Sequence, residues 1–217
     1  IEFHTAHRVP GYQDWLEASD QRAAYRVHRQ FLQNLQAQDR SGGRLPDGAE
    51  PPRWALKAPG HLFALEALLH EYPDAVLVQT HRDPLTVVAS ISSLGVKLRE
   101  GFSREVDRRE VALDWSARWA GALDSVLSMR AASPALDGRI LDLHYDEVVA
   151  DPLAAVGRIY AHADLELARP ARAAMKAFLA EHPQGRYGRH SYTLAEFGLD
   201  ADTERARYAR YARFLGS

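Results

Sequence analysis

Ala75-Val76-Leu77-Val78-Gln79-Thr80-His81-Arg82-Asp83-Pro84 is the stretch on which the fold turns. Residues 75–81 run apolar almost without alternation. A run of that length is expected where a strand is buried on both faces, as in a parallel sheet covered by helices. Asp83-Pro84 then opens a helix. An aspartate at the N-cap accepts from the free N–H groups, and proline at the first helical position loses nothing by lacking its own. Strand, arginine, cap and helix in that order put Arg82 at the carboxyl end of a buried strand, where open α/β sheets bind their ligands. The helix carries Thr86, Ser90 and Ser93 as a hydroxyl stripe, beside an apolar stripe of Val87, Ile91 and Leu94. An arginine with a nearby hydroxyl is a way to hold a phosphate.

The same alternation extends outward in both directions. Upstream, residues 53–57 are expected to form a short strand ending at Lys57. A helix follows over 61–71, with Leu62, Leu65, Leu68 and Leu69 on one face, and Tyr72-Pro73-Asp74 makes a turn. Residues 12–38 are expected to be one long helix whose apolar stripe is Ala24, Val27, Phe31 and Leu35. Between them, residues 39–52 are rich in glycine and proline and form a loop, the expected mobile segment. Downstream, a helix over 104–131 has Trp115, Trp119, Ala122, Val126 and Met129 as its core stripe, and 139–145 make a third strand. Asp151-Pro152 repeats the capped helix start. Further helices are expected near 170–182 and 203–215, separated by a glycine- and arginine-rich loop from Pro183 to Tyr192. Strands alternating with helices give a single α/β domain over residues 1–217, with a mostly parallel sheet flanked by helices. Three strand ends then deliver Lys57, Arg82 and Tyr145 to one rim.

Composition narrows what that rim handles. The chain has 217 residues, 46% of them hydrophobic, and a net charge of −2. No global basic field exists, so nucleic acid is not an expected partner, and an anionic ligand has to be held by a local cluster. The absence of cysteine excludes disulfides and thiolate metal sites and fits a reducing compartment, here read as the cytoplasm. No apolar run approaches the ~18 residues of a membrane span. No metal site is expected: His4 and His7 are three apart, but no second pair or carboxylate at ligand spacing accompanies them. The chain begins at Ile1 and is expected to be the C-terminal portion of a longer one.

Each candidate side chain has a functional and a bland reading. Arg82 presents a planar fork suited to phosphate oxygens, or it pairs with Asp83 or a helix end. Ser90 supplies a hydroxyl to the same anion, or is small enough to let helices pack. Lys57 stabilises charge on a leaving phosphate oxygen, or is a surface lysine at a strand end. His61 acts as a general base, or donates a structural hydrogen bond at a helix start. Tyr145 stacks on a base or bonds a phosphate, or packs on the neighbouring helix. Arg186 and Arg189 flank Gly188, whose backbone can approach a ligand closely, or all three belong to a solvated loop.

Trp54-x-x-Lys57-x-Pro59-x-His61, then Tyr72-Pro73-Asp74-Ala75, then His81-Arg82-Asp83-Pro84 and Ser90 resemble the sulfotransferases that use 3'-phosphoadenosine 5'-phosphosulfate (PAPS). The likeness is nearest to the bacterial branch similar to tyrosylprotein sulfotransferases. Tyr145-Asp146-Glu147-Val148-Val149 before Asp151-Pro152 looks like that family's tyrosine-bearing strand end. Gly188-x-His190-x-Tyr192-x-Leu194-x-x-Phe197-Gly198 looks like its late glycine-basic loop. The resemblance implies a P-loop NTPase-like fold and a metal-independent transfer of a sulfuryl group from PAPS to an acceptor hydroxyl or amine, leaving 3',5'-adenosine bisphosphate. It implies that Arg82 and Ser90 hold the 3'-phosphate, that Tyr145 helps there or at the adenine, and that Lys57 neutralises the leaving 5'-phosphate. Arg186, Gly188 and Arg189 would close over the nucleotide. The family's 5'-phosphosulfate loop lies earlier in the chain, and nothing before Lys57 fits it. The branch's base carboxylate lies in that early region too; other sulfotransferase branches use histidine, so the resemblance offers His61 as a substitute base. A kinase-like phosphotransferase and a non-catalytic nucleotide-binding fragment are the alternatives.

Overall fold

The computed structural model of the chain describes residues 2–43, 53–183, 188 and 192–216. It comprises two compact units, one of Ile1–His4 with Arg8–Ala75 and one of Thr5–His7 with Val76–Ser217. Among the described residues no helix is long and apolar enough to cross a membrane.

After a short α1 (Glu2–Ala6), the first unit contains α2 (Pro10–Ala18), α3 (Arg22–Ser41), a 3-10 turn (Pro59–Ala64) and α4 (Leu65–Glu71). The single helix expected over 12–38 is thus two. The backbone turns extended at Ser19, and Asp20 takes the backbone N–H and the guanidinium of Arg22 at the start of the second helix. The buried face of α3 also differs from the expected stripe. Tyr25 and Leu32 are buried, whereas Val27 is 64% and Phe31 58% exposed. The aliphatic pattern misled because Tyr25 and His28, one turn apart, both find polar partners within the unit and turn that face inward. Residues 53–57 form no strand. A strand exists only against a partner, and none pairs with this segment among the described residues, so Lys57 sits in exposed irregular chain rather than at a strand end. The loop expected over 39–52 lies outside the described residues from position 44 on; α3 runs through Ser41.

The second unit is built on two parallel strands, β1 (Leu77–His81) and β2 (Ile140–His144), whose register pairs Leu77 with Ile140 and His81 with His144. Around them lie α5 (Pro84–Glu100), α6 (Arg108–Ala132), α7 (Pro134–Asp137), α8 (Tyr145–Ala150), α9 (Pro152–His162), α10 (Arg169–Glu181), a second 3-10 turn (Leu194–Phe197), α11 (Ala201–Arg207) and α12 (Ala209–Leu215). The class is α/β, mostly helical, with a parallel sheet. β1 is not buried on both faces, however. Val76 and Val78 are 47% and 38% exposed, while His81 is fully buried. Burying both faces of a parallel strand takes a layer on each side, and among the described residues the alternation along β1 marks a covering layer on one side only.

Helices α5 and α6 form the core of this unit. The buried face of α5 is Val88, Ala89, Ser92, Gly95 and Val96, one step round from the expected Val87, Ile91 and Leu94. Close approach decides this: a Cβ on Gly95 would lie 3.2 Å from Val111 Cγ1 and 3.3 Å from Trp115 Nε1. Small residues let the two backbones approach, so the helix turns its small side inward and leaves Leu94 half exposed. On α6, Val111, Ala112, Trp115, Leu123 and Val126 fill the space beneath. The C-terminal helices close the core through buried polar groups. Ser116 donates to the buried Glu204 of α11, and the Tyr208 hydroxyl donates to the Ser116 carbonyl at 2.8 Å.

Candidate functional site

The register of β1 and β2 sets the site geometry. His81 and His144 are paired across the sheet, so the next residues, Arg82 and Tyr145, leave the two strands side by side. Their side chains meet: the Arg82 guanidinium carbon lies 4.2 Å from the centre of the Tyr145 ring. A guanidinium over an aromatic face is attracted by the ring's negative face, so the contact orients the fork while its N–H groups stay in solvent.

Asp83, the nearest acid in sequence, is otherwise engaged. Its carboxylate caps α5, accepting from the backbone N–H groups of Leu85 and Thr86 and from the Thr86 hydroxyl. Among the described residues no carboxylate forms an ion pair with Arg82. The corner thus presents an oriented guanidinium with no ion-pair partner among the described residues, beside an α5 N-terminus that the Asp83 carboxylate already caps. Ser90 is half-buried on α5, one turn beyond Thr86 and on the same side.

Beneath the corner lies a polar network that the sequence did not announce. His81 is buried, with Nε2 2.7 Å from Asp142 Oδ1 and Nδ1 2.8 Å from the Tyr211 hydroxyl. Arg130 clamps the same aspartate with two hydrogen bonds of 2.8 and 2.7 Å, and donates from Nε to Asp137 at 2.6 Å. Partial burial works against the Asp142 charge, but the hydrogen bonds from Arg130 and His81 prevail and hold its carboxyl well below the usual carboxylate range. The Phe214 ring lies beneath the Arg130 guanidinium at 4.7 Å.

In the first unit, His61 belongs to a cluster of four rings. The Tyr25 hydroxyl is 2.8 Å from His61 Nδ1, the Tyr72 hydroxyl is 2.7 Å from His28 Nδ1, and the two histidine rings are 6.3 Å apart. Burial, followed by the neighbouring His28, lowers the His61 pKa from its ordinary value. Burial also pushes the Tyr25 phenol up to about 12, so it keeps its proton at neutral pH. Two arrangements are open to the pair. If Tyr25 donates to Nδ1, then His61 Nε2 carries the ring hydrogen and can only donate. If Nδ1–H donates to Tyr25 Oη, then Nε2 is left as an acceptor, and only that form acts as a base.

The lowered pKa of His61 has a pH consequence. The folded state binds the ring proton less readily than the unfolded chain, so stability rises with pH across the interval from the lowered value to 6.5. The contribution is complete above 6.5 and is lost as the pH falls through the lowered value. In melts from about pH 7.5 to about pH 5, the wild type is expected to lose more thermal stability than His61→Gln. Parallel curves would remove His61 as the source.

The Sulfotransferase family model matches residues 2–169. The chain belongs to the sulfotransferase family. Two solved structures resemble it over almost its whole length. Sulfotransferase STF9 from Mycobacterium avium is 28% identical with a TM-score of 0.84, over 98% of this chain and 52% of that one. Sulfotransferase STF1 from Mycobacterium tuberculosis H37Rv is 34% identical with a TM-score of 0.77, over 96% of this chain and 51% of that one. This chain therefore spans about half the length of either solved sulfotransferase. No curated protein matches it.

Among the residues singled out for this sulfotransferase-family chain, the structure brings Arg82 and Tyr145 together and puts Ser90 on the helix that follows Arg82. Lys57 and His61 belong to the other unit, Lys57 exposed and His61 half-buried. Arg186 and Arg189 lie outside the described residues. Gly188 has φ +91°, a conformation that L side chains rarely adopt. Sequence reasoning quoted His81 and Tyr72 among the motif residues without a role, and missed Asp142, Arg130 and Tyr211 under the corner and Tyr25 and His28 around His61. One signal was available for the first group. Asp142 interrupts the apolar strand Ile140–His144, and a polar side chain in a strand needs a partner. An apolar groove of about 440 Å³ between α9 and α10 is lined by residues such as Leu153, Val156, Met175 and Phe178. It offers no group to hold an anion.

Proposed function

We propose that the protein transfers a sulfuryl group from PAPS to an acceptor hydroxyl or amine. The observation that carries this reading is Arg82. It is oriented on Tyr145 at the carboxyl ends of two parallel strands, while the adjacent Asp83 is committed to capping α5. PAPS supplies the activated sulfuryl group. Arg82 and Ser90 bind the 3'-phosphate, and Tyr145 orients Arg82 and contacts the same phosphate or the adenine. Arg186, Gly188 and Arg189 belong to the segment that closes over the nucleotide. In the transfer, the bond from sulfur to the bridging phosphate oxygen breaks as the acceptor atom bonds to sulfur in line. The family resemblance assigns Lys57 the neutralising of charge on the departing 5'-phosphate and His61 the acceptor's proton, which Nε2 would take in the form in which Tyr25 accepts from Nδ1–H. Positioning and charge stabilisation supply most of the acceleration, as in phosphoryl transfer.

Calorimetric titration without magnesium, comparing 3',5'-adenosine bisphosphate with ADP, tests the reading. Tighter binding of the 3'-phosphorylated nucleotide is the expected result. Equal affinity, or a preference for ADP that requires magnesium, would overturn it in favour of a kinase-like phosphotransferase.

A further inference from the structure

We propose that Tyr211, on the C-terminal helix α12, is a positioning residue for 3'-phosphate recognition, acting through His81 on Arg82. The inference rests on the nucleotide reading above.

The argument begins with hydrogen-bond accounting. The Asp142 carboxylate is ionised under the Arg130 clamp and can only accept, so His81 Nε2 must be the donor in that 2.7 Å contact. The remaining ring nitrogen, Nδ1, faces the Tyr211 hydroxyl at 2.8 Å. The hydroxyl retains its proton, because burial and then Asp142 push the phenol well above its ordinary value. The arrangement that satisfies every group has Tyr211 donating to Nδ1 and His81 donating to Asp142. One ring orientation meets both conditions. His81 is thereby locked from two sides, by β2 and by α12.

This lock lies directly beneath the proposed site. His81 is the residue before Arg82, and His144 is the residue before Tyr145. The two are register partners, with rings 5.8 Å apart. The two anchors on the His81 ring tie the end of β1 to β2 and α12, so loss of one frees that strand end to shift and, with it, the two chain exits that bring guanidinium and phenol to 4.2 Å. Phe214, one turn beyond Tyr211, packs on the same histidine at 5.9 Å. A helix distant in sequence thus sets the geometry of a strand end, while none of its residues need touch the nucleotide.

A general packing role predicts lower melting temperature and nothing selective. A positioning role predicts loss of discrimination for the 3'-phosphate. Affinities of this chain for 3',5'-adenosine bisphosphate and for 5'-AMP are therefore measured for the wild type, Tyr211→Phe and Phe214→Leu. The expected result is that Tyr211→Phe narrows the ratio of the two affinities about fivefold or more, about 1 kcal/mol, through weaker bisphosphate binding with AMP affinity held. Phe214→Leu, which keeps every hydrogen bond and most of the volume, narrows the ratio less. It is the deciding variant should Tyr211→Phe not fold, and it then still has to narrow the ratio. An unchanged ratio in folded Tyr211→Phe overturns the inference and leaves the nucleotide reading standing. A wild type that shows no preference for the bisphosphate overturns both.

Discussion

Arg82→Ala is expected to weaken 3',5'-adenosine bisphosphate binding about 10- to 100-fold while leaving 5'-AMP within about threefold. A charge-assisted hydrogen bond contributes about 1.5–3 kcal/mol, and each 1.4 kcal/mol is a factor of ten. The whole of that contribution is available to a ligand because the guanidinium has no carboxylate partner among the described residues. It rests on the Tyr145 ring instead. Arg82→Lys keeps the charge but loses the planar fork and the stacking, so it should recover only part of the affinity. Calorimetry on all three proteins decides the matter. Bisphosphate affinity unchanged in Arg82→Ala would return the residue to a structural role and remove the observation on which the proposed activity stands.

The second large effect concerns folding. Arg130→Ala is expected to destabilise the protein by about 2–4 kcal/mol, a fall of roughly 5–15 °C in melting temperature for a chain of this size. The guanidinium is buried and holds both Asp142 and Asp137, so its removal leaves Asp142 charged and half-enclosed with His81 as its remaining partner. The estimate stays below the full cost of orphaning a buried charge because the Asp142 side chain is 32% exposed and water can reach it. Adding Asp142→Asn to Arg130→Ala should recover part of the loss. The coupling from the double-mutant cycle then measures the pair, as distinct from the packing of the arginine stem on Phe214. A melting temperature within about 2 °C of wild type for Arg130→Ala would mean that the clamp contributes little.

What could be read from the sequence, and what could not, follows the range of the interactions involved. Asp83-Pro84 and Asp151-Pro152 are helix starts in the structure as expected, because a cap is made within three residues of itself. Arg82 was legible as a site residue for the same reason: strand, cap and helix are adjacent in the chain. Its meeting with Tyr145 was expected only at the level of a shared rim, and register made it a contact. Lys57 was misplaced because strand formation depends on a neighbour, which local pattern does not reveal. Asp142 in an apolar strand signalled that it needed a partner, but the pairing itself was illegible, Asp142 and Tyr211 being 61 and 130 residues from His81. The inward faces of α3 and α5 were misjudged because the periodic apolar stripe was taken as the buried side. Tyr25 and His28 on one helix, and Ala89, Ser92 and Gly95 on the other, show that hydrogen-bond partners and close approach can outrank side-chain size.

The ladder between β1 and β2 also works as a vernier. Successive residues of a strand face opposite sides, so slipping one strand by a single residue against the other would exchange the faces of everything beyond the slip. Tyr145 would then be carried away from Arg82 although neither side chain had changed. Inserting or deleting one residue within either strand is therefore a far more severe change than lengthening the turns around α7, where an added residue can be absorbed before β2 begins. Length variation in a functional relative should collect in those turns, and the five paired positions from Leu77 to His81 should keep their count.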